Sequence, residues 1–169
     1  MKRFVMLASI VSALALCAVG AASVGTGSWG SWEPTYQGPI VAPAGAVCAF
    51  PVSAEPVSQN LRLRYHFDEA GNADGYEVVG PLVARITNTA TGASIERNLA
   101  SKGTVLFAED GSWEAVVDGN FLIFFTAQDN PSTELLLLAG RTVLRGTATG
   151  AKTLVSANGR SEDVCAALS

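Results

Sequence analysis

Turn signals recur along most of this chain at intervals too short to hold long helices. They are Asp74-Gly75, Thr91-Gly92, Asp110-Gly111, Asp118-Gly119, Asp129-Asn130-Pro131-Ser132, Thr149-Gly150 and Asn158-Gly159. Asp-Gly and Asn-Gly suit type I′ hairpins, whose two central residues both take positive φ. Between the signals lie short runs rich in Val, Ile, Leu, Thr and Phe. The pattern predicts strands near 50–58, 61–68, 76–88, 93–100, 103–108, 112–117, 120–127, 134–147 and 151–157. Most connections are too short for parallel crossovers. The expected fold is therefore all-β, an antiparallel meander closing into a barrel of about eight strands, because closure removes exposed edges. A two-sheet β-sandwich is the alternative.

Side-chain alternation supports this reading. Leu61, Leu63, Tyr65 and Phe67 face one way, and Arg62, Arg64, His66 and Asp68 face the other. Two segments, Phe121–Phe125 and Leu135–Leu138, are apolar at every position. A strand apolar on both faces must be covered on both. The tail from Ser161 to Leu168 reads as one short C-terminal helix, with Ser161 as N-cap and Glu162 and Asp163 in its first turn.

The other end reads as an address. Met1-Lys2-Arg3 is positive, Phe4 to Val19 is an uncharged apolar run, and Gly20-Ala21-Ala22-Ser23 supplies small residues. That is the layout of a secretory signal peptide over residues 1–22, cleaved after Ala22. The run is shorter than the roughly 20 residues a spanning helix needs, so no stable membrane anchor is expected after cleavage. Lipidation at Cys17 is disfavoured by Leu16, where a small residue is needed. Residues 23–47 then read as a flexible leader rich in Gly, Pro and Trp, and 48–169 as a single β domain. Trp29, Trp32 and Tyr36 of the leader either pack loosely on the domain or form a short adhesive segment.

Charge and cysteine content narrow the chemistry. Lys and Arg total 11 against 15 Asp and Glu. Cleavage removes Lys2 and Arg3, and the more acidic mature chain lacks the basic stripe of a nucleic-acid binder. It also removes Cys17, leaving Cys48 and Cys165 as one expected disulfide of an extracellular protein. Two Cys and one His cannot build a four-ligand zinc site, so no structural metal is expected.

Cofactor motifs fail on context. Gly25-Thr26-Gly27-Ser28-Trp29-Gly30 matches a dinucleotide fingerprint in letters but neither follows a strand nor opens a helix. Gly146 to Thr153 misses a phosphate loop because its glycine, Gly150, is not adjacent to Lys152 and the context is a strand pair. Acidic residues between Asp68 and Glu77 lack calcium-loop spacing and read as a polar hairpin loop. No cofactor is expected.

The candidate ligand-binding residues are His66, Arg62 and Arg64 on one strand, and Phe121, Ile123 and Phe125 on another. His66 is the only histidine, so any histidine acid–base step must use it. Its polar strand face is either a solvated stripe or a charged pocket fit for a carboxylate. The expected function is a secreted, non-catalytic barrel holding a small apolar or amphipathic ligand. Two alternatives are an extracellular structural or surface-interaction module and a cyclase- or isomerase-like enzyme.

Cys48-Ala49-Phe50-Pro51-Val52 opens the domain and Glu162-Asp163-Val164-Cys165-Ala166-Ala167-Leu168 closes it. These two ends, with the Gly- and Phe-rich middle, resemble a group of secreted actinobacterial proteins of no assigned activity. The resemblance implies an extracellular compartment and a retained Cys pair, and carries no functional residue. The meander also resembles barrels of the allene oxide cyclase and lipocalin kinds, an analogy of fold alone.

Overall fold

The computed structural model describes residues 27–169. The signal peptide expected over 1–22, its cleavage site and Cys17 lie outside the described residues. The chain is all-β, with two antiparallel sheets and one short C-terminal helix. Its strands are β1 (Ser28–Trp29), β2 (Glu33–Thr35), β3 (Ile40–Ala42), β4 (Val52–Gln59), β5 (Leu61–Phe67), β6 (Ala73–Gly80), β7 (Leu82–Asn88), β8 (Ser94–Asn98), β9 (Ser101–Phe107), β10 (Trp113–Phe125), β11 (Glu134–Gly146) and β12 (Lys152–Asp163), followed by α1 (Val164–Ala167). The larger sheet runs β1-β5-β6-β9-β10-β11-β12, with β2 also on β5, and the smaller runs β3-β4-β7-β8. Among the described strands the backbone pairing forms no closed ring.

Several expected hairpin turns are creases instead. Asp118-Gly119 lies inside β10 and Asn158-Gly159 inside β12, while Asp74-Gly75 lies inside β6. Positive φ at glycine closes a hairpin or bends a continuing strand, and sequence does not distinguish the two. Gly80, Gly119, Gly140 and Gly159 all have positive φ and stand in one row, linked through Ser101. A side chain on Gly140 would run into the carbonyl oxygen of Asn158, and one on Gly159 into that of Ala139. The β6–β9 and β9–β10 ladders end at this row, the β10–β11 and β11–β12 ladders continue past it, and the sheet folds along it.

Packing shows the fold. Leu138 and Leu144 share one buried cluster with Ala115, Ile123 and Phe125. A straight strand would hold residues six apart at about 20 Å. The far halves of β10 and β11 thus turn one face back onto their own sheet. Their other face, bearing Leu122, Phe124, Leu135 and Leu137, packs against Val52, Ala54 and Ile86 of the smaller sheet. This explains why 121–125 and 135–138 are apolar throughout: they form a middle layer, buried on both sides.

The described part of the expected leader, residues 27–47, is docked. β1 and β2 pair with β5, and β3 pairs with β4. Short pairings and tryptophan contacts fix a segment whose composition alone reads as flexible. The C-terminal helix is shorter than expected, and its N-cap is Asp163, whose side chain accepts from Ala166 N–H at 3.1 Å. Cys165 in that helix is bonded to Cys48, with Cα atoms 5.5 Å apart. Cys48, Val47, Val164 and Leu168 are buried together in the inter-sheet core.

Candidate functional site

The expected site residues separate into two places. Arg62, Arg64 and His66 project from one face of β5, beneath the docked N-terminal segment. Arg64 donates to Glu77 of β6 at 2.6 Å, and Lys102 of β9 reaches the other carboxylate oxygen of Glu77 at 2.6 Å. Burial pushes the Glu77 carboxyl up, and the hydrogen bonds from Lys102 and Arg64 outweigh it, so the group sits below its ordinary range. The Arg64 guanidinium also lies 4.6 Å from the ring centroids of both Trp29 and Trp32. Arg62 donates to the Trp32 carbonyl at 3.4 Å. His66 Nδ1 lies 2.6 Å from Asp74 Oδ1, and its ring meets Trp29 edge-on at 4.8 Å. This polar face is a roofed network. The tryptophans of the leader lie against Arg64 and His66, while Arg62 stays exposed.

Phe121, Ile123 and Phe125 are also divided. Ile123 is 6% exposed and Phe125 0%, and both are packed inside the folded larger sheet. Phe121 borders a cleft between the sheets. The cleft is walled by Ala54 and Pro56 of β4, Leu82 and Ala84 of β7, Leu99, and Leu122 and Phe124 of β10. Gln37, Gly38, Ile40 and Ser101 complete its lining, and its volume is about 190 Å³. The Gln59 side chain fastens the segment at the lining: it accepts from Gln37 N–H at 2.7 Å and donates to the Gln37 carbonyl at 3.0 Å.

Sequence reading missed Leu122 and Phe124. Their signal was present, since a doubly apolar strand offers two faces and only one was chosen. Pro56, Leu82 and Leu99 have no such signal, because Pro56 and Leu82 belong to the smaller sheet and Leu99 follows β8, and only long-range packing brings them beside 122–124.

A second, polar cavity of about 400 Å³ lies between β8 and the far ends of β10, β11 and β12. It is lined by Arg97, Asn98, Asn120, Leu137, Ala139, Arg160, Ser161 and Glu162. Arg97 holds Glu162 through two nitrogens, at 2.6 to 3.2 Å. Among the described residues no group of three or more His, Cys, Asp or Glu is placed to hold a metal ion. His66 lines neither cavity.

No family model, curated protein or solved structure matches this chain. Its chemistry is therefore read from its own residues.

Proposed function

We propose that this chain is an extracellular, non-catalytic protein that holds a small apolar or amphipathic ligand between its two sheets. The observation that carries the reading is the apolar cleft of about 190 Å³ at Leu82, Leu99, Leu122 and Phe124. A cavity of roughly 150 Å³ lined by such side chains accepts benzene. Larger ligand pockets run from about 300 to 1,000 Å³. The cleft therefore suits one ring or an alkyl chain of similar bulk. Architecturally we favour a folded sheet packed on a second sheet, a sandwich rather than a closed barrel. The N-terminal charge and apolar pattern, together with the Cys48–Cys165 disulfide, support secretion. No helix among the described residues is long and apolar enough to cross a membrane.

Non-denaturing mass spectrometry of the protein recovered from culture supernatant tests both parts. The expected spectrum shows a chain cleaved after Ala22, carrying an adduct that is lost on denaturation. An intact N-terminus would overturn the signal-peptide reading. A bare chain that also takes up no added benzene or octanol would overturn the ligand-binding reading.

A further inference from the structure

The two cavities adjoin. Asn98 lines the polar one and its neighbour Leu99 the apolar one. On the opposite wall Asn120 lines the polar cavity, and Phe121 and Leu122 line the apolar one. Asn120 and Leu122 are two apart on one strand and so share a face. A ligand lying along this face would have its apolar part at Leu122 and Phe124 and its head at Asn120.

The chemistry of that head follows from what the polar cavity leaves unused. Its acid, Glu162, is neutralised by Arg97, whose remaining terminal nitrogen donates to the Glu96 carbonyl at 2.9 Å. The Arg160 side chain makes no hydrogen bond or ion pair among the described residues, although five of the other six described arginines pair with a carboxylate and Arg62 reaches a carbonyl. The Asn98 carbonyl oxygen accepts from Ala100 N–H at 2.9 Å, which leaves its amide N–H groups to donate. The Asn120 side-chain amide and the Ser161 hydroxyl have no partner among the described residues, although the Asn120 backbone N–H donates to the Ala100 carbonyl at 3.0 Å. The cavity thus carries one net positive charge and several unused donors beside an apolar chamber.

We propose that the ligand is a medium-chain carboxylate, with about six to eight apolar carbons in the inter-sheet cleft and its carboxylate on Arg160, Asn98 and Asn120. This rests on the cleft being the binding site. Arg160 is the residue that selects the anion, since a guanidinium meets a carboxylate through paired, charge-assisted hydrogen bonds. Arg97 is a positioning residue: it removes the charge of Glu162, which would otherwise repel the head.

Titration calorimetry with sodium octanoate and with 1-octanol, on the purified protein and on Arg160→Gln, tests this. Hydrogen bonds to a charged group at such a site correspond to about ten- to hundredfold in affinity. The expected result is that octanoate binds tighter than octanol by that factor, and that Arg160→Gln removes the preference by weakening octanoate far more than octanol. Equal binding of the two ligands by the unaltered protein would overturn the carboxylate assignment and leave the cleft standing. A preference that survives in Arg160→Gln would overturn the role of Arg160. Binding of neither would overturn the cleft itself, and the carboxylate with it.

Discussion

Arg97 and Glu162 join the free edges of two sheets that share no backbone hydrogen bond between them. Arg97 stands on β8, the last strand of the smaller sheet, and Glu162 on β12, the last of the larger. The guanidinium donates twice to one carboxylate oxygen and once to the other. That hydrogen bonding lowers the Glu162 pKa and raises that of Arg97.

Both side chains are about one-third exposed, so water screens the pair and its contribution is about 1 kcal/mol at most. A cycle of Arg97→Gln, Glu162→Gln and the double variant, read by urea unfolding, should show coupling. The double variant should lose about as much as either single one. Simple additivity would mean the two edges are held by packing alone.

Gly140 sits at the crease with φ +107, and a Cβ there would meet the Asn158 carbonyl. Gly140→Ala should therefore cost about 2–3 kcal/mol, from left-handed backbone strain together with the collision. Gly38→Ala is the control, since it would meet nothing within 4 Å. It should change stability by less than about 0.5 kcal/mol. Equal effects in thermal unfolding would show that the sheet does not fold along the glycine row.

Much of this architecture was legible as pattern and illegible as geometry. The strand content, the short helix and the doubly covered 121–125 and 135–138 segments follow from turn residues and hydrophobic periodicity. Asp118-Gly119 carries the same letters as Asp110-Gly111, yet one bends a strand and the other turns a hairpin. What decides is the cross-strand partner: Gly119 faces Gly140, a long-range pairing that local sequence does not encode. The docking of Trp29 and Trp32 on Arg64 was hidden for the same reason. Its partners are about 30 residues apart, and glycine-rich composition masks the pairing.

Asp129 makes stability depend on acid. Its side chain is fully buried, accepts from Thr126 N–H and Oγ at 2.6 and 2.9 Å, and meets Lys152 N–H and Nζ at 2.6 and 2.8 Å. Burial pushes its pKa up, but the Lys152 and Thr126 hydrogen bonds prevail and bring it from 3.8 down to about 2. A depressed carboxyl pKa stabilises the fold above the unfolded value, and that stability is lost as pH falls through the folded one. The group should contribute about 2 kcal/mol at neutral pH, lost between roughly pH 4 and pH 2. Asp129→Asn should remove that share of the acid sensitivity in urea titrations run across this range. An unchanged pH profile would place the sensitivity elsewhere.

The disulfide spans 117 positions and ties the start of the domain to its C-terminal helix. Loops of about 100 residues gain about 4.7 kcal/mol in the chain-entropy model, before any native strain. Cys48→Ser should sharply lower the melting temperature in oxidising buffer. The unaltered protein under reductant should fall to a similar value. A melting temperature unaffected by the substitution would mean that the inter-sheet core holds the C-terminal helix without the bond.

Trp29 and Trp32 hold the N-terminal segment through Arg64, and this sets the last prediction. Each cation–π contact contributes about 0.5–1 kcal/mol at a partly exposed site, and the flanking strands β1 and β2 are only two and three residues long. The two stacking contacts therefore add to the short strand pairings and the Gln59 hydrogen bonds that keep the segment docked. Tyr36, 82% exposed just beyond β2, is a ready chymotrypsin site whose cutting rate reports local release. Trp29→Ala and Trp32→Ala should each speed cleavage after Tyr36 several-fold. Global stability should fall by only about 1 kcal/mol, because neither indole belongs to the two buried core clusters. Mass spectrometry of the digest distinguishes the outcomes. Faster cutting confined to this segment supports a docked strap, whereas faster cutting throughout the chain would mean that the tryptophans belong to the core of the fold.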